Sequence, residues 1–114
     1  MLSLTLPWPP TALSPNTRQH WSKLAKAKKK YRADCARQAS SQGADFIDAD
    51  RLHLTLTFLP PTRRAYDLDN LLARMKSGLD GLADVLGVDD SRWSLTIQKG
   101  EEVGGVVKVD VRHV

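Results

Sequence analysis

Two arginines precede a short acidic run in Arg63-Arg64-Ala65-Tyr66-Asp67-Leu68-Asp69-Asn70, and a second acidic pair, Asp89-Asp90, follows about twenty residues later. Carboxylates are hard oxygen ligands, and Mg²⁺ is held by one or two of them together with waters and phosphate oxygens. Arginines beside such a site suit phosphate, which the guanidinium fork matches in shape and charge. The chemistry these residue types point to is metal-dependent hydrolysis of a phosphodiester, with Mg²⁺ as the cofactor and Mn²⁺ as its substitute.

The spacing makes geometric demands. If Asp67, Leu68 and Asp69 are extended, the two carboxylates point the same way, because side chains alternate along a strand. Leu68 then points back into the core, and Asn70 either bonds a ligand carboxylate or starts a helix. On a following helix Asp69, Lys76 and Asp80 fall within about 40° of one another at 3.6 residues per turn. Lys76 could there stabilise charge developing on a phosphoryl group. Adjacent side chains point apart, so one of Asp89 and Asp90 completes the metal set, and Asp90 is the choice. The expected ligands are Asp67, Asp69 and Asp90. The opposing reading gives these acids ordinary work: Asp69 as a helix cap, Asp67 bracing Arg63 or Arg64, and Asp89 in a turn.

A helix expected from about His20 to Ser40 carries seven Lys and Arg residues between Lys23 and Arg37, with Asp34 the sole acid among them. That density exceeds what solvation requires. Lys23, Lys26, Lys28, Lys29 and Lys30, with Arg63 and Arg64, are therefore candidate contacts to a DNA backbone, giving salt-sensitive binding without base readout. Leu24, Ala27, Tyr31 and Cys35 share its apolar face. The whole chain has 17 Lys+Arg against 13 Asp+Glu and a pI near 9.5, and the basic residues concentrate before Tyr66. A clustered basic face is a footprint of nucleic-acid binding.

Elements that position these residues follow from periodicity. Leu2, Leu4, Leu6 and Trp8 alternate with polar residues and stop at Pro9-Pro10; Leu52 to Phe58 alternates likewise and stops at Pro60-Pro61. A second helix is expected from Asp69 to Leu86, with Leu68, Leu72, Met75, Leu79, Leu82 and Leu86 as its apolar stripe and Gly87 as its stop. Trp93, Leu95 and Ile97 read as a third strand. Val107, Val109 and Val111 read as a fourth, paired with the third in an antiparallel hairpin. The resulting α+β order, β-α-β-α-β-β, calls for a single four-stranded mixed sheet with two helices on one face, and one domain over residues 1–114.

Cys35 is the sole cysteine, which excludes an internal disulfide and a cysteine-built zinc site. No apolar run approaches the roughly 20 residues of a membrane span, and the start of the chain lacks the features of a signal peptide, so a cytoplasmic protein is expected. His20, His53 and His113 read as structural or incidental. Trp8, Trp21 and Trp93 could serve a dimer interface or base stacking, with ordinary core packing the expected role of each.

Taken together, Leu6-Pro7-Trp8-Pro9-Pro10, Asn16, the basic helix, Arg63-Arg64, Asp67-Leu68-Asp69-Asn70-Leu71 and the Leu79-Asp80…Asp89-Asp90 spacing resemble the RusA family of Holliday junction resolvases, found in bacteria and their prophages. The resemblance runs over nearly the whole chain. It implies a small homodimeric, Mg²⁺-dependent endonuclease that cuts four-way DNA junctions by paired symmetric nicks in recombination and repair, with no small-molecule cofactor and no membrane partner. It also implies that Asp67, Asp69 and Asp90 are catalytic, holding ions that activate the attacking water. The family's best-known member also uses a lysine one turn after the second aspartate. Ala73 stands there instead, and Lys76, one turn further along, is the candidate for that role, with Arg74 a less direct one. A non-catalytic DNA-binding module and a phage accessory interaction protein are the alternatives, the latter predicting no salt-sensitive DNA binding.

Overall fold

Strict alternation along Leu52–Leu59 puts Leu52, Leu54, Leu56 and Phe58 on one side of a strand, all four fully buried. In the computed structural model, which describes residues 2–114, this strand is β2 of the order β1 (Leu2–Pro7), α1 (Trp21–Ser41), β2 (Leu52–Leu59), α2 (Leu68–Leu86), β3 (Trp93–Lys99), β4 (Val106–His113). Short 3₁₀ turns occupy Thr11–Leu13 and Asp90–Arg92. Met1 lies outside the described residues. The protein is an α+β fold built on one four-stranded mixed sheet, ordered β1-β4-β2-β3.

Leu4 and Leu6 of β1 and Val107, Val109 and Val111 of β4 join the β2 residues in one core, which Tyr31, Cys35 and Ala39 of α1 and Leu71, Met75, Leu82 and Leu86 of α2 cover. Burying each such side chain is worth about 1.5–3 kcal/mol, so this apolar face sets the register. The opposite face is polar: His53, for example, hydrogen-bonds Ser94 Oγ at 2.7 Å and Thr96 Oγ1 at 3.0 Å.

The expected β3–β4 hairpin does not form. β3 pairs parallel with β2, and β4 pairs antiparallel with both β1 and β2. A parallel pair needs a crossover, and α2 supplies it. The segment from Gly100 to Gly105 straddles the end of β2, where the Gly100 N–H donates to the Phe58 carbonyl (2.9 Å) and the Gly105 N–H to the Leu59 carbonyl (2.7 Å). Burial explains the choice. The three β4 valines are enclosed, which suits a central strand, whereas Leu95 of β3 is 41% exposed, as an edge allows.

The two helices meet closely because α2 presents Gly78 and Gly81 to α1. A Cβ at Gly81 would overlap the Arg32 carbonyl, and one at Gly78 would overlap the Tyr31 ring. Arg32 then reaches across to Asp84 through two 2.8 Å hydrogen bonds. Cys35, packed in this seam, has its thiol pushed up to about 11, chiefly by burial. Because the obstacle at Gly81 is backbone, Gly81→Ala is expected to destabilise the fold by the about 1–3 kcal/mol typical of overpacking. A lowered denaturation midpoint at unchanged slope is the expected reading, and an unchanged midpoint would contradict the close seam.

Candidate active site and nucleic-acid surface

The acidic run is not extended throughout. Asp67 has extended backbone angles (φ −87°, ψ 128°) and is the N-cap of α2, while Leu68 and Asp69 are already helical. The pleat argument that aligned the Asp67 and Asp69 carboxylates therefore fails. The helix starts as soon as the chain leaves Asp67, with the Leu71 N–H donating to the Asp67 carbonyl (3.0 Å). Leu68 is partly buried against the core.

Asp67 stands where aspartate is a favoured cap, yet its side chain makes no capping bond. Asp69 accepts the Asn70 N–H at 3.0 Å. Neither carboxylate belongs to an ion pair among the described residues, so Arg63 and Arg64 are not braced by Asp67. The Arg64 guanidinium lies 5.2 Å from the Tyr66 ring centroid instead. The Lys99 ammonium donates to the Tyr66 carbonyl (3.0 Å) and anchors the approach to α2.

The second acidic pair divides its labour. Asp89 caps the 3₁₀ turn by accepting the Ser91 N–H at 3.1 Å, which holds its carboxyl below the usual range. That is the turn role. Asp90 folds back onto α2 and accepts a 2.9 Å hydrogen bond from the Lys76 ammonium. The contact raises the Lys76 pKa, with Asp80 and Asp89 adding smaller contributions in the same direction. Lys76 and Asp90 are thus brought together, and Asp80 shares a cleft with Lys76.

The three carboxylates are hard oxygen donors of the kind Mg²⁺ takes. Among the described residues, however, no three His, Cys, Asp or Glu side chains are grouped so as to hold a metal ion. Asp67 and Asp69 sit at the start of α2, and Asp90 is engaged by Lys76. As arranged, they do not fit a three-carboxylate metal site.

Two adjoining clefts border this region. One, of about 510 Å³, is lined by Thr11, Ser14, Arg64, Asp67, Asn70 and Arg74 among others. The other, of about 400 Å³, runs between α1 and α2 and includes Lys28, Lys76 and Asp80. Ser14 and Arg74 belong to both. Arg74, the less direct candidate for the lysine role, is only 7% exposed and is the one buried charged side chain among the described residues. Its Nη2 donates to the Pro9 carbonyl, 2.6 Å away, and the Trp8 ring centroid lies 5.8 Å from its guanidinium carbon. Enclosing an ion costs several kcal/mol. A hydrogen bond from a charged donor returns about 1.5–3 kcal/mol and a cation–π contact about 0.5–2 kcal/mol. No carboxylate among the described residues pairs with it.

On α1, Asp34 takes Lys30 (2.9 Å) and Arg37 (2.7 Å), and Arg32 takes Asp84. Lys23, Lys26, Lys28 and Lys29 belong to no ion pair among the described residues. Trp21, at the start of the same helix, does not take the packing role expected of it: it is 75% exposed beside His20, with ring centroids 5.4 Å apart. Trp8 and Trp93 do pack: Trp8 meets Phe58 and Tyr66 edge-on, and the Trp93 indole N–H donates to the Val88 carbonyl. His20 caps α1 by accepting the Ser22 N–H at 3.2 Å.

No family model matches this chain. Over 96 residues it is 49% identical to an uncharacterized protein of Xylella fastidiosa (strain Temecula1 / ATCC 700964), a match covering 82% of this chain and 63% of that protein. The chain thus spans somewhat less than two thirds of this relative's length. No helix among the described residues is long and apolar enough to cross a membrane.

Proposed function

We propose that this chain is a RusA-like, structure-selective endodeoxyribonuclease that resolves four-way DNA junctions by paired symmetric nicks. The observation that carries the reading is the Asp67 carboxylate, free of any capping bond, at the rim of a cleft lined by Arg64 and Arg74. A phosphodiester seated there would have its charge neutralised by guanidinium groups, with a carboxylate alongside to orient an attacking water and accept its proton. Lys76 lies further along α2 with Asp90 of the following turn folded back onto it, and the lysines of α1 would hold flanking backbone. Mg²⁺, or Mn²⁺ in its place, belongs to this reading as the cofactor, although the carboxylates as arranged do not form its site. Two symmetric cuts call for a twofold homodimer with one site per subunit. The setting proposed is the bacterial cytoplasm, with the gene in the host or a prophage.

A second reading, a catalytically silent DNA-binding module, is favoured by the absence of a grouped metal-ligand set among the described residues. Both readings expect DNA binding that weakens steeply with salt. Gel-shift titration of a labelled four-way junction and a linear duplex of equal length, without divalent metal, tests the structure selectivity. Tighter binding to the junction is expected, and equal affinity for the two would contradict the proposal.

Trp21 should contribute to that binding. Its exposed ring at the start of the helix that carries the lysines suits stacking on an unstacked base, an interaction worth about 1–3 kcal/mol. Trp21→Ala is expected to weaken junction binding by roughly 5- to 150-fold without lowering the melting temperature. Unchanged affinity would leave Trp21 as an ordinary exposed residue.

A further inference from the structure

We propose that the cleft between the Thr11–Ser14 turn and the start of α2 binds a phosphate group, with Arg74 as its buried anchor and Arg64 as its exposed clamp. Buried charges in folded proteins are paired, and Arg74 has no carboxylate partner among the described residues. Its Nη2 is committed to Pro9, and its Nε is enclosed without a partner. Nη1 has no protein acceptor among the described residues and is not enclosed, so it is the nitrogen left to the two adjoining clefts that Arg74 lines.

The second guanidinium, that of Arg64, lines the same cleft and acts on Arg74 as a like charge. Two cations facing one space, neither bonded to the Asp67 carboxylate at its rim, leave room for an anion between them. The start of α2 adds to this field. Its first helical bond begins at the Leu71 N–H, and Asn70 uses its own N–H on Asp69, so the Leu68 and Asp69 amides have no helical acceptor. Ser14 donates to Asn70 Oδ1 at 3.3 Å and ties the turn to the helix across the cleft.

The ligand class follows from the donors. A tetrahedral phosphate offers oxygens in several directions and can accept from two guanidinium groups and a helix start together, which a planar carboxylate does less well. The volume of about 510 Å³ accommodates a phosphate with its attached sugar. This phosphate site rests on the proposed function, whose cleft it shares and whose ligand it names; phosphate can bind there whether or not the bond is then cut. The phosphate could be a backbone diester or the monoester of a free nucleotide, and the cleft chemistry is common to both.

The test follows the Arg74 Nε–H resonance of the full chain, identified by its disappearance in Arg74→Lys. Inorganic phosphate, a 5′-nucleotide and a short oligonucleotide without terminal phosphates are titrated separately against chloride at matched ionic strength. A saturable shift with at least one probe is expected, and the probe that saturates at the lowest concentration names the source. Arg64→Gln, at an exposed position that leaves the core intact, is expected to weaken that probe by about tenfold, as removal of one charge-assisted hydrogen bond would. An Arg74 signal unmoved by all three probes would overturn the proposal, and so would full affinity in Arg64→Gln.

Discussion

Asp67→Asn is expected to reduce junction cleavage by about 10²- to 10⁴-fold, the range for removing a positioned proton acceptor, while leaving junction binding and thermal stability close to those of the unsubstituted chain. The substitution separates chemistry from folding because asparagine and aspartate are equally good at a helix N-cap. Moreover, the Asp67 side chain makes no capping bond that could be broken. Loss of a negative charge near the start of α2 removes only about 0.3–1 kcal/mol of dipole stabilisation, against a typical total of about 5–15 kcal/mol. A hundredfold loss of cleavage cannot come from that difference. Asp69→Asn should behave alike, since the asparagine carbonyl can still accept the Asn70 N–H. Asp89→Asn is the control, because that carboxylate already has a turn to cap. Cleavage unchanged in Asp67→Asn would remove this carboxylate from the reaction.

Exchanging Lys23, Lys26 and Lys29 together for glutamine should weaken junction binding and flatten its salt dependence. Successive residues are about 100° apart, so these three span an arc of about 120° on one side of α1. None is paired with an acid among the described residues. Every lysine–phosphate interaction removed lowers the slope of log affinity against log salt by about 0.9, so the triple variant should lose about 2–3 units of slope. Lys30 is a less informative choice, being already held by Asp34. An unaltered slope would assign these lysines to solvation alone.

The sheet is legible in the sequence because alternating leucines and valines leave one burial solution, and both helices are legible from their apolar periodicity. Strand pairing is not. Neighbours in sequence favour a hairpin, but the enclosed valines of β4 win the central position and displace β3 to the edge. Periodicity finds most of the buried face of α2 but not its full width. Met75, Leu79, Leu82 and Leu86 of the expected stripe are buried and Leu68 and Leu72 partly so, while the buried surface extends further round to Leu71, Gly78, Gly81 and Arg74. Two glycines three residues apart on a helix are the available signal that α1 approaches there. Arg74, on the same side, is then the cation to be enclosed. For the acids, a helix that begins at Leu68 separates side chains that an extended chain would have aligned, so spacing alone could not fix their geometry.

The most direct measurement is nick mapping. A four-way junction labelled on each strand in turn is incubated with purified protein in Mg²⁺, beside a linear duplex of the same sequence and a reaction containing EDTA. The account predicts nicks at symmetric positions in two opposing strands of the junction, little cutting of the linear duplex, and none in EDTA. Tight junction binding with every strand left intact in Mg²⁺ and Mn²⁺ would contradict it.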